Sequence, residues 1–312
     1  MKTNVLRYKL EQKDRLIQCV AADGMVRVSF IFGTNLVKEA RRVHGLSRVA
    51  TAALGRQLMM TAIMAADLKG ENDLVSTIVK GDGPAGSMIC TGNRLLEIKG
   101  SVLNGDVELP PNESGKLDVG GFVGREGKLS VVSDLGLKEP YVGLCNLVSG
   151  EIAVDFANYY SSSLQRPALV YLGVRERAET GEVRAAAGVF AEPLPGCPED
   201  VIDCLQAKSA QIARFSERLD EGETPEELLE SAFGELGLTY AGEREPVYRC
   251  DCSRERIERA LISTGYDELT EMIEEDHGAE VTCRFCDKRY QFTEEDLRSL
   301  LLSASAREDE DE

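Results

Sequence analysis

The apolar positions change rhythm three times along the chain. Val26, Val28 and Phe30 alternate with Arg27 and Ser29, which is the two-residue period of a strand over 26–32. Thr34 and Asn35 can cap a helix through Arg42, which Gly45 ends. Ser47 can cap a second helix from about 48 to 69. Its Ala, Leu and Met content suits a core helix packed on a sheet, with Met59 and Met60 filling gaps. From about 74 to 163 short apolar runs alternate with Gly, Asn and Pro. Runs 74–79, 87–90, 95–102, 117–123 and 129–132 are predicted strands in hairpins, followed by a short helix over 151–161. Runs 168–174 and 182–190 are a final strand pair, and a Pro-Gly break follows at 193–198.

Past that break the period becomes helical. Val201, Leu205, Ile212, Phe215 and Leu219 fall on one helical face. Thr224-Pro225-Glu226-Glu227 is a capping box with Pro at the first helical position. It opens a helix through about Leu236, ended by Gly237. Helices of this length are marginal in water, so this acid-rich connector needs another surface on which to bury its apolar stripe.

Composition narrows the function classes. The chain has 312 residues, enough for roughly two domains. Its net charge is −18, which opposes nucleic acid and anionic lipid, because both are held mainly by clustered Lys and Arg. Residues 243–312 alone carry −11, and the run from Arg307 onward is nearly all acidic. No apolar run approaches the roughly 20 residues that span a bilayer, and the first ten residues lack a signal-peptide core. These features point to a cytoplasmic protein.

Nine cysteines, an odd number in a reducing compartment, argue against a resting disulfide framework. Cys19, Cys90, Cys145, Cys197 and Cys204 are scattered and suit packing as small hydrophobes. On a continuous helix, the seven positions between Cys197 and Cys204 are about 10.5 Å of rise, too far for a disulfide. The last four are paired: Cys250-Asp251-Cys252, then Cys283-Arg284-Phe285-Cys286. Two close thiolate pairs can supply four tetrahedral sulfur ligands to zinc. Between them, Ser253 can cap a helix carrying Ile257, Leu261, Leu269, Met272 and Ile273. Residues 281–290 are predicted as a hairpin whose turn presents Cys283 and Cys286. Four sulfur ligands close a zinc site and argue against catalysis there. A metal that only staples a small domain accounts for this spacing. The Cys-x-Cys half leaves a second reading open, since neighbouring thiolates can be oxidised and resolve one another. Together these features predict an α+β protein: a mixed core domain over 1–192, a helical linker over 193–243, a zinc-binding unit over 244–304 and a disordered acidic tail over 305–312.

Other motifs carry less. Gly81-Asp82-Gly83-Pro84-Ala85-Gly86 matches a dinucleotide fingerprint, but the required helix does not follow it, and Pro84 suits a hairpin turn. His44 and His277 are read as helix-end residues. A thiol oxidoreductase using Cys283 and Cys286 would need a thioredoxin-like setting, and this pair sits in a hairpin turn.

The chain resembles the heat-shock protein 33 family over nearly its whole length. The resemblance rests first on Cys250-Asp251-Cys252-Ser253-Arg254-Glu255-Arg256 and on the run from Cys283 through Cys286 to Tyr290-Gln291-Phe292. Gly115 to Gly120, Asp134 to Gly143, Ser149 to Asp155, Leu194-Pro195-Gly196 and Ala53-Leu54-Gly55-Arg56 also fit. Leu164 departs from the acid usual in the family, and 95–104 is less glycine-rich. The resemblance implies an ATP-independent holdase with no catalytic residues. It implies one zinc per chain on Cys250, Cys252, Cys283 and Cys286 in a reduced, resting state. It further implies that oxidation forms Cys250–Cys252 and Cys283–Cys286 disulfides, releases zinc, unfolds the C-terminal unit and linker, and exposes apolar surface for unfolded clients. A homodimer in the oxidised state is part of the same expectation, as is the core domain's role in client binding and dimerisation. The alternatives are a zinc-stapled thiol-disulfide oxidoreductase or a structural zinc protein.

Overall fold

The computed structural model describes residues 13–308, with side chains through Leu302. The first ten residues and positions 309–312 of the acidic tail lie outside the described residues, so the expectations made there are not addressed. Backbone contacts divide the chain into two compact units, Met1–Arg249 and Cys250–Glu312. Residues 193–243 belong to the first.

Two sheets build that first unit. One has five antiparallel strands in the order β10-β1-β2-β9-β8: β1 (Arg15–Ala21), β2 (Val26–Phe32), β8 (Leu169–Glu176), β9 (Val183–Pro193) and β10 (Thr239–Arg244). The other has six, ordered β11-β5-β4-β3-β6-β7: β3 (Leu74–Gly81), β4 (Ser87–Asn93), β5 (Glu97–Val102), β6 (Gly127–Asp134), β7 (Tyr141–Asn146) and β11 (Val247–Tyr248). Only the short β11–β5 pair in it is parallel.

Helix α1 (Thr34–His44) ends on Gly45 in the left-handed conformation, and α2 (Arg48–Ala65) starts on a Ser47 side-chain cap to the Ala50 amide. In α2, 15 of 18 residues are buried, so it is enclosed on all sides, packing on strands of both sheets. Gly55 permits this fit: a Cβ there would come within 2.8 Å of Val37 in α1 and 3.2 Å of Val174 in β8.

The five-stranded sheet is apolar on both faces. Leu16, Ile31, Leu172 and Phe190 point into the core around α2. On the opposite face Ile17, Cys19, Ala21, Val28, Phe30, Ala185, Ala187, Val189 and Ala191 form a second core. Its cover is the connector, as α5 (Glu199–Ala207), α6 (Ser209–Ile212), α7 (Phe215–Glu221) and α8 (Pro225–Phe233). Leu205, Ile212, Phe215, Leu219, Leu228, Leu229 and Phe233 are the buried side chains of that cover. The Thr224–Glu227 capping box forms as the sequence predicts.

Several expectations need correction. Residues 117–123 are not a strand: Asp118 accepts the Gly121 amide and opens the helix α3 (Val119–Val123), a local cap that outweighs the β preference of Val and Phe. Helix α2 stops at Ala65, short of residue 69. The connector is broken near Lys208 and Arg214, so its stripe wraps the sheet in short pieces, and Cys197 precedes α5 while Cys204 lies within it. The helix after the capping box tightens into a 3₁₀ turn (Gly234–Leu236). Residues 305–308, expected to belong to the acidic tail, are assigned to the last helix. The predicted short helix is α4 (Ile152–Ser162).

After the connector, residues 239–249 run from the edge of one sheet to the edge of the other. β10 pairs with β1, and Arg244 donates to the carbonyls of Arg94 and Ala66. β11 then pairs with β5, and Cys250 follows two residues after Tyr248.

The second unit is small. It contains α9 (Arg254–Ile262), α10 (Tyr266–Glu274), a hairpin of β12 (Gly278–Thr282) and β13 (Arg289–Thr293), and α11 (Glu294–Glu308). The single helix expected between the cysteine pairs is two, parted at Gly265, whose φ is +108°. Among the described residues, no helix is long and apolar enough to cross a membrane.

Candidate metal centre

Two structural devices bring the four paired cysteines together. Cys250 and Cys252 lie in the extended segment before α9, whose N-terminus is capped by the Ser253 hydroxyl. Arg254, the first residue of α9, holds this segment on the hairpin. Its guanidinium lies over the Phe292 ring at 4.3 Å, donates to the Gln291 carbonyl and pairs with Glu258 and Asp296. Arg256 pairs with Asp251, the residue between the two sulfurs. Cys283 and Cys286 sit on the predicted β12–β13 turn. There the amides of Cys286 and Asp287 both donate to the Cys283 carbonyl, and Cys283 donates to Lys288. Asp287 takes a left-handed φ of +57° to close the turn.

All four sulfurs lie within 4.8 Å of one another. Cys250 Sγ is 3.6 Å from Cys283 Sγ, and Cys252 Sγ is 3.3 Å from Cys286 Sγ. Zinc–sulfur bonds of about 2.3 Å place tetrahedral ligands about 3.8 Å apart. The four side chains are therefore arrayed closely enough to share one ion, and all four are free thiols. Around them lies a core of few residues, Leu261, Leu269, Ile273, Tyr290, Phe292 and Leu297, with Cys283 itself part of it. A core this small would gain much of its stability from a metal held there.

Local electrostatics separate the thiols. Burial raises Cys252, but hydrogen bonds, first from Tyr290 and then from the other thiols, outweigh it and bring Cys252 down to about 7. Burial pushes the Cys250 thiol up strongly, and the Cys286 thiol up to about 11. Tyr290 is held well above the usual phenol range by its bond to Cys252. That hydroxyl lies 3.1 Å from Cys252 Sγ and is a part of the site the cysteine spacing does not reveal. The signal was available: Tyr290 and Phe292 alternate as the buried positions of β13, on the strand that follows Cys286.

The remaining candidates are placed elsewhere. The glycine-rich turn between β3 and β4 packs on the end of α3. Its Gly83 and Ala85 amides bond Val123 and Phe122, and a Cβ on Gly83 would meet backbone at 2.5 Å, so those donors are committed within the fold. His44 ends α1 and bonds inside the first unit. His277 lies 3.5 Å from Glu294, outside the sulfur cluster.

Comparison with known proteins places the chain in a family. The family model described as "Hsp33 protein" matches residues 14–293. A 33 kDa chaperonin of Acetivibrio thermocellus is 43% identical over 289 residues, covering 93% of this chain and 97% of that protein. The 33 kDa chaperonin of Oceanobacillus iheyensis is 42% identical over 288 residues, covering 92% and 99%. The crystal structure of the 33 kDa chaperonin (heat shock protein 33 homolog) from Thermotoga maritima superposes with a TM-score of 0.84 at 33% identity, covering 95% of this chain and all of that one. With the family model spanning most of the sequence and the same fold in a solved relative, this chain belongs to the heat-shock protein 33 family of molecular chaperones.

Proposed function

We propose that this chaperone is an ATP-independent holdase switched by the oxidation of its four clustered thiols. In the reduced state Cys250, Cys252, Cys283 and Cys286 hold one zinc ion, and the protein rests. The donor set fits that ion in kind and in spacing. Oxidation joins Cys250 to Cys252 and Cys283 to Cys286, which removes all four ligands. Structural zinc supplies about 10–16 kcal/mol of folding free energy, which exceeds what a core of so few residues can replace. The C-terminal unit then unfolds, the connector loses order, and unfolded clients bind the surface uncovered. The protein acts in the cytoplasm, dimerises when oxidised and uses no catalytic residue. Residues 1–192 form the core domain for clients and dimerisation, 193–243 the linker and 244–304 the switch.

The observation that carries this reading is the second core. An apolar sheet face is covered only by short helices joined through breaks, which is the kind of cover that lifts at modest cost. Light scattering of an unfolding client tests it. The oxidised, zinc-free protein should suppress aggregation in proportion to its concentration, and the reduced, zinc-loaded protein should not. Equal suppression by both forms, or turnover of many clients per chain, would overturn the proposal.

A further inference from the structure

The site holds one side chain that the zinc-and-disulfide account does not use. Tyr290 is buried on β13, its register fixed opposite Val281 and its ring flanked by Lys288 Nζ at 4.9 Å. Its hydroxyl donates to Cys252 Sγ at 3.1 Å. Cys250 and Cys286 take backbone amide donors instead, from Cys252 and Lys288. Among the described residues, Cys252 is the ligand sulfur with a side-chain hydroxyl aimed at it.

We infer that Tyr290 is a positioning residue that restrains Cys252, setting how fast this one sulfur is attacked by an oxidant. This rests on the thiol-switch reading above. A hydrogen bond to a thiolate occupies a lone pair and draws charge from sulfur, and such bonds tune metal-bound sulfur. With a hydroperoxide, the Cys252 sulfur forms an S–O bond as the O–O bond breaks. Sulfur is oxidised to the sulfenic acid, and the hydroperoxide is reduced to an alcohol, or to water if it is hydrogen peroxide, taking up one proton. The Cys250 thiolate then attacks that sulfur, forming the S–S bond and expelling hydroxide. The first step uses the lone pair that the Tyr290 hydroxyl engages. The ring keeps its packing whether or not the hydroxyl is present, so the restraint and the fold are separable.

Tyr290→Phe in the full chain tests this. Zinc content of the reduced wild-type protein is measured first: a metal-free chain would sink the zinc reading itself. With zinc bound, every ligand is a thiolate, so differences in rate report sulfur reactivity and not protonation. Limiting iodoacetamide and, separately, limiting hydrogen peroxide are followed residue by residue by mass spectrometry. The Cys252 to Cys286 rate ratio should rise at least threefold in Tyr290→Phe. An unchanged ratio, or equal acceleration of all four sulfurs, would overturn the role of Tyr290 and leave the zinc reading standing. Should Tyr290→Phe not hold zinc, a fluorinated tyrosine placed at 290 keeps the hydroxyl and makes it a stronger donor. It should lower the same ratio, and a rise or no change would overturn the inference.

Discussion

His44 and Tyr248 are 204 positions apart in sequence, yet the imidazole Nε2 lies 2.9 Å from the phenol oxygen. The Tyr248 hydroxyl donates to the Gly100 carbonyl at 2.8 Å, and Nε2 is 3.0 Å from that same carbonyl. One helix end, one sheet edge and the last strand before Cys250 are thus joined by three polar groups. Tyr248→Phe should cost about 1 kcal/mol. It should speed exchange of the Val247 and Arg249 amides, which bond Leu96 and Ile98, by about fivefold. Hydrogen exchange should show no change in α2. Loss of protection across the whole first unit would mean the contact is a global support and not a local latch.

Reduced protein should contain one zinc per chain, and Cys283→Ser should abolish tight binding. Cys283 is the most buried of the four clustered cysteines and the one counted in the small core, so the same variant should lose the ordered C-terminal unit. Metal analysis with circular dichroism checks both. Full zinc occupancy in the variant would refute the ligand set.

Peptide mapping after peroxide should find Cys250 joined to Cys252 and Cys283 to Cys286. Distance in the folded site does not single out this pairing, since Cys252 and Cys286 lie 3.3 Å apart and Cys250 and Cys283 3.6 Å apart across the motifs. On the proposed switch, selection would come after zinc leaves and the unit unfolds, when closing a loop of a few residues costs less entropy than closing one of more than thirty. Mostly cross-motif bonds would show that oxidation finishes inside the folded site.

Phe215 packs against Phe30 with ring centroids 6.0 Å apart, and against Tyr171 at 6.5 Å. Phe215→Ala should cost about 3–5 kcal/mol, borne by the connector. The reduced variant should then suppress client aggregation without any oxidant. An open connector by hydrogen exchange, with no gain in suppression, would separate the connector from client binding.

The cysteine site was legible because ligand spacing and a hairpin period are local properties, and 281–290 contains both. The connector's stripe was legible for the same reason. Its breaks were not, because Lys208 and Arg214, where the helix is interrupted, are ordinary helix residues with no Pro or Gly to mark the stop. β10 was illegible for a different reason: Thr239 to Arg244 has no apolar alternation, with five of its six residues exposed. It is a strand only because β1 offers an edge to pair with. Arg15–Ala21 lacks a clean alternation because both of its faces are buried.

Asp14 accepts the Asn35 and Leu36 amides at the start of α1, and burial lifts its carboxyl to about 7. A raised carboxyl means that the folded state binds more protons than the unfolded one between about pH 4 and 7. Stability should therefore fall as pH rises through that window, by at most about 1.4 kcal/mol per unit, and level off above pH 7. Urea melts from pH 5 to 8 should show this slope in the wild type and a flatter one in Asp14→Asn. Equal slopes would show that Asp14 ionises freely in the folded protein.

The face beneath the connector mixes short side chains, Ala21, Val28, Ala185, Ala187, Val189 and Ala191, with the larger Ile17, Phe30 and Phe32, and carries apolar groups almost throughout. Uncovered, it would offer apolar area and few polar groups for recognition, so its preference would follow apolar area. Each residue of a bound segment would add a small, similar increment, and affinity would scale with the length of apolar chain laid down. Native proteins, which expose few such stretches, would be passed over without any recognition sequence, and a segment that refolded would leave simply because it had grown too short to hold.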